Sequence, residues 1–81
     1  MVDFKPVPRE EVLLLATPWD VTAIGQDGVL WTTGRLAIDG LRLDESHGGW
    51  IAGVADPSDL EPRDFAIDLR TGKHEGGVPF S

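Results

Sequence analysis

An Asp-Gly dipeptide set between short apolar runs occurs twice in this chain, at Asp27-Gly28 and Asp39-Gly40, and it constrains the fold more than any other feature. A type I′ turn needs positive φ at both central residues, and Asp-Gly supplies this at low steric cost. Each dipeptide therefore predicts a β-hairpin. A two-residue loop at Asp27-Gly28 places Gln26 opposite Val29 and Ile24 opposite Trp31. A two-residue loop at Asp39-Gly40 pairs Ile38 with Leu41 and Leu36 with Leu43 on one face, and Ala37 with Arg42 and Arg35 with Asp44 on the other. In that second hairpin, pattern and turn agree on one register, because a one-residue slip would carry every aliphatic side chain to the solvent face.

The flanking segments continue the theme. Val12–Ala16 is too short for periodicity to separate a helix from a buried strand. Pro8 and the carboxylates of Glu10 and Glu11 favour a helical turn at its start, and Pro18 ends whichever element forms. The preferred reading is a strand preceded by a helical turn. Trp50–Ala55 reads as a strand whose glycines, Gly49 and Gly53, mark a bulge or bend. Asp64–Arg70 alternates strictly, with Phe65, Ile67 and Leu69 on the inner face. Thr71-Gly72 reverses the chain. Residues 73–81 form a tail in which Val78 and Phe80 supply a short edge strand.

Together these segments predict an all-β chain with one short N-terminal helical turn. The expected architecture is a small antiparallel barrel, roll or sandwich of six to seven short strands built on Asp-Gly hairpins. Eighty-one residues hold one core, so 1–81 is read as a single domain, with 1–11 as an extended or helical lead-in. A hydrophobic share of 41% is enough for that core and too little for a membrane protein.

Charge and cysteine content narrow the function. Asp and Glu number 14 against 7 Lys and Arg, for a formal charge of −7. Phosphate backbones and anionic lipid surfaces repel such a chain, so neither direct nucleic-acid binding nor membrane binding is expected. A basic protein surface is the complementary partner. The chain has no cysteine, which excludes disulfides, thiolate metal sites and cysteine nucleophiles, and points to a reducing, cytoplasmic setting. A β domain this small without staples gains from dimerisation, so a homo-oligomer, in the first instance a dimer, is expected.

Candidate site residues fall in two groups. Asp56, Asp59, Glu61 and Asp64 crowd one proline-bounded loop with Arg63 among them. The spacing does not match a calcium-binding loop, so the segment reads as a solvated acidic surface for presentation to a partner rather than a metal site. Trp19 follows Pro18 and Trp50 follows Gly49, each at a strand start; they either cap the core or stand out as anchors of the kind that dominate binding hot spots. Trp31 is assigned to the core. The leading reading is a non-enzymatic acidic protein-binding module of the inhibitor, immunity or anti-defence type, contacting its partner through Trp19, Trp50, Asp56, Asp59, Glu61, Arg63 and Asp64. The alternative is a small-molecule binder with a pocket at a barrel mouth or dimer interface, lined by Trp19, Trp50 and Arg63. Catalysis ranks last: it requires Asp44, Glu45, His47 or His74 to share a cleft, and no cofactor or metal motif is present.

Overall fold

The computed structural model describes residues 3–38, 40–56 and 61–77. Among the described residues eight strands form: β1 (Asp3–Val7), β2 (Val12–Ala16), β3 (Val21–Gly25), β4 (Gly28–Thr32), β5 (Leu41–His47), β6 (Trp50–Ala55), β7 (Arg63–Asp68) and β8 (His74–Gly76). They make two antiparallel meanders, β1-β2-β3-β4 and β5-β6-β7-β8. The all-β expectation therefore stands, with eight strands instead of six or seven. The barrel among the expected shapes does not form, because among the described residues each sheet keeps two unjoined edges.

The N-terminal expectation also stands. Pro8–Glu10 is a single 3-10 turn with proline at its start, closed by the Glu11 N–H donating to the Pro8 carbonyl (3.1 Å). It delivers the chain into β2, where Leu14 and Ala16 are buried.

The first Asp-Gly dipeptide does turn a hairpin, but one residue out of the expected register. Gly25 pairs with Gly28, so the two-residue loop is Gln26-Asp27, and Ile24 faces Val29. A register shift between Ala23 and Ile24 then absorbs Leu30, so Trp31 pairs with Ala23 rather than Ile24. Packing selects this arrangement. Ala23 is fully buried, and opposing residues share a face, so the Trp31 ring is turned into the sandwich. There its indole Nε1 donates to the Leu69 carbonyl (2.9 Å), and its ring lies against Gly72, where a Cβ would sit 2.7 Å away.

The second Asp-Gly hairpin is not formed. Residues 33–38 and Gly40 are not in strands, and Asp39 lies outside the described residues. Of the four aliphatics expected on one face, Leu36 is fully buried, Leu41 and Leu43 are half-buried and Ile38 is exposed. Arg35 does not pair with Asp44, whose carboxylate accepts from Arg42 Nε instead (3.2 Å).

The reason lies in how the two meanders stack. Trp31 of β4 reaches Leu69 and Gly72 at the β7–β8 turn, while Lys5 of β1 reaches Glu45 of β5 (3.9 Å). Thus β4 overlies the β8 side of the second sheet and β1 overlies β5. The chain leaves β4 at one rim and must enter β5 at the opposite rim. Three strand spacings of roughly 4.8 Å separate those rims, a span that an eight-residue connector at ~3.3 Å per residue covers. A tight hairpin would instead have set β5 beside β4.

This connector closes one end of the sandwich. Leu36 and Ala37 are fully buried in it, and its donors find distant acceptors. Leu36 and Ala37 N–H donate to the Trp19 carbonyl (2.7 and 3.3 Å), and Gly40 N–H donates to that of Pro18 (3.0 Å). The core is shared by both sheets: Val7, Leu14, Val21 and Ala23 from the first, Ile51, Ala55, Phe65 and Ile67 from the second.

In the second sheet Phe65, Ile67 and Leu69 are buried, as the alternation of Asp64–Arg70 predicts. The irregularity suggested by Gly49 and Gly53 falls on the neighbouring strand: β5 shifts register between Leu43 and Ser46, opposite β6. Gly53 itself is required by close approach, since a Cβ there would overlap the Arg42 carbonyl and the Phe65 ring. Thr71-Gly72 turns the chain, with Gly72 N–H donating to the Asp68 carbonyl (2.8 Å). The edge strand of the tail is β8; Val78 and Phe80 lie outside the described residues.

Candidate functional site

The end of the sandwich closed by the connector gathers most of the predicted site residues. Trp19 sits in a tight turn built by Thr17. The Thr17 hydroxyl accepts from Trp19 N–H (3.1 Å) and Asp20 N–H (3.0 Å) and donates to Asp20 Oδ1 (2.9 Å), while Thr17 N–H donates to the Asp20 carbonyl (2.9 Å). With the Trp19 carbonyl also tied to the connector, the backbone under this residue is held on both sides. The residue nevertheless remains 47% exposed. Trp19, Asp20 and Arg35 line a shallow depression of about 280 Å³.

Ile38 stands out from the same connector at 57% exposure. Its N–H donates to both carboxylate oxygens of Asp56 (3.1 and 3.2 Å). Asp56 is itself buried, in a left-handed conformation (φ 51°), with its own N–H donating to the Gly40 carbonyl (2.8 Å). An isolated non-glycine residue in this conformation is most readily Asp or Asn. The structure thus makes Asp56 a clasp between β6 and the connector, with its carboxylate turned inward to Ile38.

The remaining acidic-loop residues separate. Asp59 lies outside the described residues. Glu61, Arg63 and Asp64 are exposed, the last two opening β7 opposite Ala55 and Val54. They share an end of the second sheet with the Ile38–Asp56 clasp. Trp50, 40% exposed, starts β6 opposite His47 and Asp68, at the far end of that sheet. Six residues of strand place it roughly 17 Å from Ala55. Trp19, Trp50 and Arg63 therefore do not line one pocket.

The histidines are likewise apart. His47 lies on β5 and His74 on β8, the two outer strands of one sheet, roughly 14 Å apart at three strand spacings. Asp44, Glu45 and His47 share β5, but His74 is not with them. Among the described residues no group of three His, Asp or Glu side chains is placed to hold a metal ion.

A second concavity opens between the sheets at the β1/β5 rim. This cleft of about 280 Å³ is walled by Phe4, Ala16, Leu41 and Leu43, with Asp3, Lys5 and Arg42 around it. Its two cations already face carboxylates, Lys5 with Glu45 and Arg42 with Asp44.

Sequence reasoning missed Ile38, assigned to an inner face, and the pairing of Asp20 and Arg35 with Trp19. The available signal was Thr17-Pro18-Trp19-Asp20, a hydroxyl-and-proline turn that projects its third residue. No protein-family model, no curated protein and no solved structure matches this chain.

Proposed function

We propose that this chain is a non-enzymatic, acidic protein-binding module that docks on a basic protein surface through Trp19 and Ile38, with Asp20, Glu61 and Asp64 as the charged surround. The observation that carries this reading is a half-exposed tryptophan on a backbone pinned by hydrogen bonds on both sides. A preorganised aromatic loses little conformational freedom on binding, so most of its buried area becomes affinity. The net charge of −7 supplies steering toward a positive surface. A small antagonist that blocks the basic groove of a toxin or defence nuclease fits these properties.

Titration calorimetry against a panel of purified basic nucleases tests the reading. Binding to a member of the panel is expected to weaken at least about tenfold between roughly 50 mM and 500 mM salt. It is expected to weaken by a further factor of ten or so in Trp19→Ala, the cost of losing one aromatic anchor. Trp50→Ala, at the other end of the sheet, should leave affinity unchanged. Salt-independent binding, or binding indifferent to Trp19→Ala, would overturn the proposal.

The β1/β5 cleft supports a second reading, a site for a small amphipathic ligand. Its volume falls just under the roughly 300–1,000 Å³ of ordinary ligand pockets, and its cations are already partnered, so it ranks second. A thermal-shift screen that moves the melting temperature by several degrees with any small molecule would reverse that ranking.

A further inference from the structure

The outer faces of the two sheets differ in kind. In the second sheet, the positions that alternate with the core carry Arg42, Asp64, Asp68 and Glu75, so that face is charged. In the first sheet, the register sets Phe4, Leu15, Thr22 and Thr32 in one outward row. Pro6, Leu13, Ile24 and Val29 make the next. None of these side chains ionises, and only the two threonines are polar.

Phe4 and Val29, at opposite margins of this face, are 65% and 67% exposed. Leu13, Leu15 and Ile24 are half-buried but lie outside the core cluster, so their shielding comes from neighbours on the same face. An antiparallel strand with one wet face alternates apolar with polar residues, whereas an unbroken apolar run marks a strand covered on both sides. β2 runs from Val12 to Ala16 without a polar residue. Its inward Leu14 and Ala16 are already buried by the sandwich. Among the described residues nothing covers its outward Leu13 and Leu15.

We propose that this outer face stacks on the same face of a second copy, so that the two first sheets become the inner layers of a four-layer dimer. This goes beyond the partner reading above and does not depend on it. Charge identifies the occupant. A basic partner finds no carboxylate on this face. Two chains that each carry −7 repel over most of their surface, and here they meet with no like charges opposed. A two-fold contact needs a self-complementary patch, and an apolar sheet face is one, since stacked sheets interdigitate at a spacing of ~10 Å. Area sets the strength. Four strands of five residues cover roughly 19 by 17 Å, large enough for an interaction patch but well under the ~800 Å² per partner of a standard complex. The dimer is therefore weak and populates with concentration. Salt strengthens it by screening the repulsion between the two negative chains, the opposite of its effect on a charge-led contact at Trp19.

Analytical ultracentrifugation of the full chain from about 10 μM to about 1 mM tests the assignment. The wild type is expected to pass from mostly monomer to mostly dimer across that range. Its dissociation constant should fall at least about threefold between roughly 50 mM and 500 mM salt. Leu15→Lys at the centre of the face and Val29→Lys at its margin should each raise that constant at least about tenfold, because the facing copy has no carboxylate to receive the new charge. Circular dichroism should show both still folded, since neither side chain belongs to the core. Val54→Lys, beside Arg42 and Asp64 on the outer face of the second sheet, should leave the dimer unchanged. A wild type that stays monomeric throughout would overturn the proposal, and its co-sedimentation with phosphatidylcholine vesicles would then assign the face to lipid. A dimer that survives both lysine variants while folded, that loosens with salt, or that Val54→Lys disrupts equally would overturn it too.

Discussion

At the tip of the β3–β4 hairpin, the chain around Asp27-Gly28 is held by its own neighbours: Gly25 faces Gly28 and Ile24 faces Val29. Around Gly40 the same kind of sequence is held by residues remote along the chain. Leu36 and Ala37 bond to Trp19, Gly40 to Pro18 and Ile38 to Asp56. One region is exposed and local, the other buried and long-range. The contrast shows that a turn dipeptide licenses a reversal without compelling one. Where the flanking aliphatics can bury themselves by crossing to a second sheet, that burial outweighs the modest local preference of a two-residue turn.

Substitutions that separate these two modes of support should differ in size. Leu36→Ala, at the buried centre of the connector, is expected to cost about 2 to 5 kcal/mol, read from the urea midpoint, because a fully enclosed leucine leaves a cavity behind. The matching truncation at the hairpin, Val29→Ala, should fall within about 0.5 kcal/mol, since Val29 is mostly in water. Equal effects at the two positions would break the comparison.

Asp56→Ala comes next. It strands the Ile38 N–H in a partly buried site and gives a left-handed backbone to alanine, at about 1 to 3 kcal/mol. Asp56→Asn keeps an acceptor and tolerates the same φ, so it should recover part of that loss. A thermal scan in which Asp56→Ala matches wild type would show that the connector is held without its clasp.

Gly28→Ala and Gly40→Ala sharpen the contrast from the other side. Both glycines have φ above +100° with open space where a Cβ would go, so each substitution should cost about 1 to 2 kcal/mol from backbone strain alone. Similar denaturation shifts are expected although one residue lies in a hairpin and the other in a connector. Trp31→Phe, which keeps the packing on Gly72 and loses the indole bond to Leu69, should cost about 1 kcal/mol, above only Val29→Ala in this series.

Much of the fold was legible in short windows. The 3-10 turn before β2 follows from Pro8, and the burial of Phe65, Ile67 and Leu69 follows from their alternation. The end of the sandwich was not legible. Arg35–Asp44 satisfies every local criterion for a hairpin, and only the stacking of β1 over β5 reveals why the chain cannot turn there. The candidate site was half legible. The exposure of Trp19 was one of two open readings, whereas Asp56 looked like a solvated loop acid and is instead buried against Ile38 N–H.

What the sequence determined by itself is the alphabet of this protein: short strands, their inward faces, the places where the chain is free to reverse, and an excess of negative charge. These depend on neighbours two to four residues away, which sterics and side-chain alternation govern directly. The tertiary structure alone decided which reversals were taken, which rim each strand occupies, and whether a carboxylate or an indole meets water. Those outcomes depend on apolar area and hydrogen-bond partners contributed by segments far away in the chain, such as Trp19 for Leu36 and Leu69 for Trp31.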